Sequence, residues 1–456
     1  MFLIRKVDRM NTPAKIQDLT GAEIQRIAED IYIFGYPLVL MEVTKWTDTA
    51  TSHPTLHRAP LNRFLHEAFL PRPHDKHAVQ ANADCLSSSA WLDLGKEPIV
   101  LSIPGNERYH LLSFFSGWYE IFETFSPRNS GIEGGLLGFV TPDWSGKLPA
   151  GMKAIAAPTE TVWIHGLFEV RGAEDVKLVN GLQNQLRLLP LSDWDSPPAL
   201  QGVPFRMDVN QKAPPREQVE RLDPRGFYTR LSRLMKRNPA KTSDTEIIAQ
   251  SIRIGFVPSE DFAFELLPRE TIQAMQLAVA AAQVRIANAQ KESHGKTVNN
   301  WSLHTHPAGA RTTYLERAAA ARSGVAAALA EDILCFHTNV DQTGEPLKGG
   351  NRYAINFRSD LTPPVNAFWS ITLYDSRQQL VPNSILRNSI GDRDRLRLNA
   401  DNSLSIHIQH DWPGEAKDSN WLPSPKDGFN LVLRMYWPKR DAIVGIWRPP
   451  AVTRAN

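Results

Sequence analysis

Two blocks of short segments alternating between apolar and polar residues, separated by a long stretch of helical periodicity, constrain the fold more than any other feature. In the later block, Leu404-Ser405-Ile406-His407-Ile408 and Leu431-Val432-Leu433-Arg434-Met435-Tyr436 place successive side chains on opposite faces of a strand. Turn residues separate such segments, which predicts an antiparallel, jelly-roll-like β-sandwich. In the earlier block, residues 99–103, 109–115, 136–140 and 161–170 are aliphatic and aromatic runs broken by Pro104-Gly105-Asn106 and by glycines. They read as strands. At 456 residues the chain exceeds what one hydrophobic core supports. The expected fold class is therefore α+β and β-rich. The expected order is a poorly ordered start over 1–19, a helix plus strand-rich domain over 20–191, a proline-rich linker over 192–215, a helical segment over 216–344 and the sandwich over 345–456.

Several helix boundaries carry their own chemistry. Thr20 followed by Glu23 fits a capping box, and a helix should run through Ile24, Ile27, Ile31 and Phe34 until Gly35 and Pro37 bend or end it. Residues 173–189 predict a short helix with Glu174 and Asp175 near its positive end. Ser243 with Glu246 suggests a second capping box, residues 270–290 a long alanine-rich helix, and residues 314–334 another helix.

Composition removes some functions. Lysine and arginine number 51 against 49 acidic residues, a net charge of +2, so no nucleic-acid partner is implied. The absence of an apolar run of about 18 residues argues against a membrane helix. The start lacks the apolar core of a secretory signal. Cys85 and Cys335 fall in different predicted domains, which argues against a disulfide framework and for a reducing cytoplasm.

The densest polar stretch is 80–98, QANADCLSSSAWLDLGKEP, just before a predicted strand. Asn82 and Asp84 either close an Asx turn or line a site. With Arg128, Trp91, Tyr109, Trp369, Tyr374 and Arg393 they could orient a polar head in an apolar pocket. Asp84 would then be a general acid or base; paired with Arg128 it would be structural. Cys85 could be a nucleophile if the fold supplied His66 as its base, or a small buried thiol. Tyr374 offers a further hydroxyl for catalysis. Five histidines, His53, His57, His66, His74 and His77, lie in one loop-rich window, but their spacing matches no metal motif, and neither does that of His304 and His306. GxSxG, GxxxxGK[ST], HExxH and CxxC are absent, and the glycines from Gly131 to Gly138 lack dinucleotide-binding spacing.

Certain residues also carry a family resemblance. Asn82, Asp84, Ala90-Trp91-Leu92-Asp93-Leu94 and Glu97-Pro98, with Arg108-Tyr109, Arg128 and Gly131, resemble the bacterial domain of unknown function twelve fifty-four. Ala367-Phe368-Trp369-Ser370-Ile371-Thr372-Leu373-Tyr374-Asp375, Gly391-Asp392-Arg393, Asn420-Trp421-Leu422-Pro423 and 429–436 resemble its usual C-terminal partner, the domain of unknown function twelve fourteen. The resemblance implies a fold more than a function. It also marks departures: relatives tend to have threonine at Cys85, tyrosine at Ser87 and Phe336, and an arginine near Leu167. Relatives are often exported.

The function expected is an intracellular enzyme acting on a hydrophobic or aromatic small molecule by hydrolysis or acid-base rearrangement, in a pocket between the β regions and without an organic cofactor. A non-catalytic small-molecule or carbohydrate binder is the rival, and it would expose Trp118, Trp369, Trp412 and Trp421 on one flat face. A metalloenzyme using a divalent metal in the histidine-rich loop is the second rival. Partners are expected to be limited to the substrate, with a homo-oligomer left open.

Overall fold

The structure, a computed structural model, describes residues 19–75, 80–195, 205–292, 295, 297–304, 309, 312–324 and 326–455. Residues 1–18 of the start expected to be poorly ordered, and the residues His77 and His306, lie outside the described residues. Among those described, 29% are helical and 27% lie in strands, an α+β balance less weighted to β than the alternating segments suggested.

The first nine strands are β1 (Leu65–His66), β2 (Cys85–Asp93), β3 (Ile99–Ile103), β4 (His110–Ser116), β5 (Ile121–Phe125), β6 (Gly135–Val140), β7 (Lys153–Ala156), β8 (Thr161–Glu169) and β9 (Arg187–Pro190). They form two sheets. A central sheet runs β1-β2-β8-β4-β5 and an outer sheet β7-β6-β3-β9. Alternation explains the packing: Leu86, Ala90 and Leu92 of β2, Phe114 of β4 and Ile164 of β8 turn toward Ile99, Leu101 and Ile103 of β3 in one core.

The opposite face of the central sheet is covered in two parts. Helices cover one end: α1 (Gly21–Asp48), α3 (Pro215–Glu220), α4 (Pro224–Met235), α5 (Thr245–Arg253), α6 (Arg269–Glu292) and α7 (Tyr314–Ser323), α2 being the short Val176–Gln183. Their core takes in Trp91, Phe115 and Ile121 from the sheet. The capping box at Thr20 and Glu23 forms as expected. The helix does not stop at Pro37, however, but runs on to Asp48. Burial on almost every side holds it: Leu38, Val39, Met41 and Val43 are all core residues, and an added Cβ on Gly35 would stand 2.3 Å from Leu231. Tertiary packing here overrides the local cost of proline. The second capping box does not form: Asp244, not Ser243, precedes α5 and accepts from the Lys241 amide.

The C-terminal domain covers the other end. Its strands are β10 (Thr297–Val298), β11 (Trp301–His304), β12 (Ile333–Thr338), β13 (Arg352–Phe357), β14 (Val365–Asp375), β15 (Ser389–Gly391), β16 (Leu404–Gln409), β17 (Trp421–Pro423), β18 (Phe429–Pro438) and β19 (Val452–Ala455). A junction sheet, β10-β11-β12-β18-β14-β15, packs against a second sheet, β17-β16-β13-β19. Two pairs, β6 with β7 and β16 with β17, are parallel, and the others are antiparallel. The helix expected over 314–334 ends at Ser323 because Gly324 takes the left-handed conformation, φ 70°. The expected helical segment thus surrenders β10, β11 and β12 to the junction sheet. Similarly, Leu188 and Leu189, expected in a helix, lie in β9. Among the described residues no helix is long and apolar enough to cross a membrane.

Candidate functional site

Both ends of β2 meet a covering layer through its odd-numbered side chains. At its start, Asn82 Oδ1 accepts the amides of Asp84 (2.8 Å) and Cys85 (3.2 Å), which is the Asx turn its sequence allowed. The Asn82 amide then donates to the Tyr436 hydroxyl at 3.1 Å. Asp84 sits beneath the junction sheet with a side chain 0% exposed. Its carboxylate accepts from Ser370 Oγ (2.6 Å), Tyr436 Oη (3.1 Å), Ser389 Oγ (3.1 Å) and Arg393 Nη2 (2.6 Å). A carboxylate offers about four lone-pair sites. All are occupied.

Arg393, not Arg128, is therefore the partner of Asp84. It also donates to the carbonyls of Asp84 (3.2 Å) and Val170 (2.6 Å) and lies 3.9 Å over the Phe368 ring. Arg128 pairs instead with Asp332, at 2.8 and 3.2 Å. The reason is register: β14 and β18 bring Ser370 and Tyr436 over Asp84, and the turn after β15 adds Arg393, whereas Arg128 follows β5 at the far edge of the central sheet.

Other sequence candidates have structural partners. Tyr374 Oη donates to the Ala81 carbonyl at 2.7 Å, and burial raises its pKa. Tyr109 Oη donates to the Asp332 carbonyl at 3.0 Å, its ring edge-on to Phe368 and Tyr436. Trp369 points into the C-terminal core against Phe357, and Trp91 donates to Asp48 at 3.0 Å within the helical core. Neither reaches Asp84. Burial drives the Cys85 thiol pKa up, and its neighbours are Tyr109, Leu111, Leu167, Phe368 and Tyr436. His66 stands on the opposite face of the sheet, paired in register with Ser88 and 2.8 Å from its hydroxyl. The nucleophile and its base are thus separated by the sheet itself. Among the described residues no three His, Cys, Asp or Glu side chains come together as metal ligands.

What the sequence reading missed lies midway along the same face. Register places Ser89, His165, Ser113 and Thr124 opposite one another across β2, β8, β4 and β5. One row away are Trp91, Trp163, Phe115 and Ile121; on the other side are Ser87, Leu167 and Leu111. A polar row thus runs between an apolar row and one that is apolar but for Ser87. It is closed over β4 and β5, where Arg128 reaches Thr124 at 3.2 Å. Over β2 and β8, Ser87, Ser89, Trp163 and His165 are all half-buried. Trp163 Nε1 donates to Ser89 Oγ at 2.8 Å.

His165 is the unusual member. Burial alone lowers its pKa from 6.5 to about 4, yet part of its surface remains open. It is thus crowded by protein on most sides and still partly accessible. Neither ring nitrogen has a hydrogen-bond partner among the described residues; its neighbour is the Trp163 ring at 5.5 Å. The alternation of 161–169 could have marked Trp163, His165 and Leu167 as one face, but not which residues lay opposite.

Comparison with curated proteins gave no match. Among solved structures, the chain is similar to the VPA0106 protein from Vibrio parahaemolyticus, at 20% identity and TM-score 0.72 over 95% of this chain and 100% of that one. A putative uncharacterized protein from Burkholderia cenocepacia is a looser neighbour, at 12% identity and TM-score 0.41 over 97% and 96% of the two chains. Residues 61–190 match the DUF1254 family and residues 332–440 the protein of unknown function family DUF1214. The chain belongs to the proteins that carry these two domains of unknown function in that order.

Proposed function

We propose that the chain binds a hydrophobic or aromatic small molecule carrying a hydroxyl or carbonyl group, in the recess between the helical layer and the junction sheet. The observation that carries this reading is His165, half-open and without a hydrogen-bond partner among the described residues, between an aromatic row and a largely aliphatic one. A neutral imidazole has one donor and one acceptor nitrogen. It can therefore hold either a carbonyl or a hydroxyl, while Trp163, Leu167 and their neighbours bury the apolar body. Few polar groups in an apolar frame is how small-molecule sites are generally built.

Binding is favoured over hydrolysis or acid-base rearrangement. An effective general base has a pKa near the working pH, and an imidazole at about 4 holds a hydrogen bond better than it takes a proton. Asp84 is no substitute, since every acceptor site it has is in use. The carbohydrate form of the binding reading lacks its flat tryptophan face: Trp412 is 60% exposed, whereas Trp118, Trp369 and Trp421 are buried.

The test is thermal unfolding with millimolar benzyl alcohol, acetophenone or toluene, on the native protein and on His165→Phe. The polar-handled fragments should raise the melting temperature of the native protein more than toluene does, and this advantage should vanish in His165→Phe. No shift with any fragment, or equal shifts in both proteins, overturns the reading.

A further inference from the structure

A cavity lies elsewhere, in the helical layer. It measures about 750 Å³ and opens between α1, α4 and residues 206–210, a size suited to a small ligand. Its two main walls carry opposite charge. From α1 come Glu42 and Trp46, four residues apart and so on one helix face. From α4 come Arg225, Arg230 and Arg233, which outnumber Asp223 at the helix start, with the Arg206–Asp208 pair at the rim.

The partners on each wall are unequal. Glu42 Oε1 accepts the Trp46 indole at 2.5 Å, but its Oε2 is buried with no hydrogen-bond partner among the described residues. Across the cavity, Arg225 pairs with Glu265 and Arg206 with Asp208, while Arg233 reaches Asp261 only at 3.9 Å. Arg230 has no ion pair among the described residues. A buried, unpartnered carboxylate oxygen favours an incoming N–H donor. A guanidinium fork favours a carboxylate, which it can grip with two hydrogen bonds.

From these two walls we propose that the cavity binds a small zwitterion, an amino acid or dipeptide, with its ammonium on Glu42 and its carboxylate on Arg230 and Arg233. This site is independent of the one at His165. The test is calorimetric titration with glycyl-leucine, N-acetylglycyl-leucine and glycyl-leucinamide, which keep both charges, lose the ammonium or lose the carboxylate. Glycyl-leucine should bind saturably and each truncated probe at least tenfold more weakly. Glu42→Gln and Arg230→Ala should each weaken glycyl-leucine by a similar factor. If Glu42→Gln fails to fold, the surface-exposed Arg230 and the probe series still decide. Absence of glycyl-leucine binding overturns the proposal, and so does equal binding of the acetylated probe, which would make this a plain anion site.

Discussion

At one end of the outer face of the central sheet, Asp84 has all its acceptor positions filled by Ser370, Ser389, Tyr436 and Arg393; midway along the same face, His165 has no hydrogen-bond partner among the described residues. Both places are polar and both lie against a covering layer. They differ in saturation. A buried polar group whose hydrogen bonds are complete holds elements together, and one left incomplete but accessible is free to take a water or another molecule's polar group. Density of polar residues, which drew attention to 80–98, does not separate these cases.

Substitutions can break or sharpen that contrast. The largest effect is expected for Asp84→Ala, which leaves Arg393, only 20% exposed, and the Ser370, Ser389 and Tyr436 hydroxyls without their shared acceptor; stability should fall by about 3–5 kcal/mol in urea unfolding. A loss below about 1 kcal/mol would mean the junction does not depend on the pair. Arg128→Ala should cost less, about 2 kcal/mol, because Arg128 is partly open to solvent while Asp332 is left buried. Tyr436→Phe removes one of four donors to Asp84 and should cost about 1 kcal/mol by the same measurement. At the other pole, His165→Phe should change stability by less than about 0.5 kcal/mol, because no hydrogen bond is lost. A larger loss would move His165 into the structural class.

The pH dependence sharpens the contrast further. Below 6.5 the imidazole at 165 takes up a proton in the unfolded chain, whereas in the folded chain it stays neutral down to about 4. The unfolded state then binds more protons, so this group's contribution to stability is lost as pH falls through that window. His66, also lowered to about 4 by burial, acts in the same direction. Asp48, raised to about 6 by burial, acts in the opposite one. The useful quantity is therefore the difference between the native protein and His165→Gln: as pH falls from about 6.5 to about 4 the native protein should lose stability relative to the variant. Parallel curves would show that His165 is not desolvated.

Much of the fold was legible because it is local. The Thr20–Glu23 capping box, the period-two strands and the Asx turn at Asn82 each need only a few neighbouring residues. Pro37 misled because the packing that carries α1 through it comes from distant helices. At the site, Asp84 and Arg393 could both be named from sequence, but not joined. Nothing local states that β14 and β18 lie over β2, so Arg128 was as plausible a partner as Arg393. Cys85 and His66 failed as a pair for a similar reason, since the face of His66 depends on its register with Ser88. His165 left no mark, because lacking a partner is a property of the assembled sheet.

The most direct test of this contrast is ¹⁵N NMR of the His165 imidazole, assigned with His165→Gln and followed from pH 7 to 4 with and without acetophenone. A ring that stays neutral until about pH 4 and whose nitrogen shifts move when acetophenone is added is the predicted result. A ring that titrates near 6.5 and ignores the fragment would contradict both the recess and its role as a ligand's polar handle.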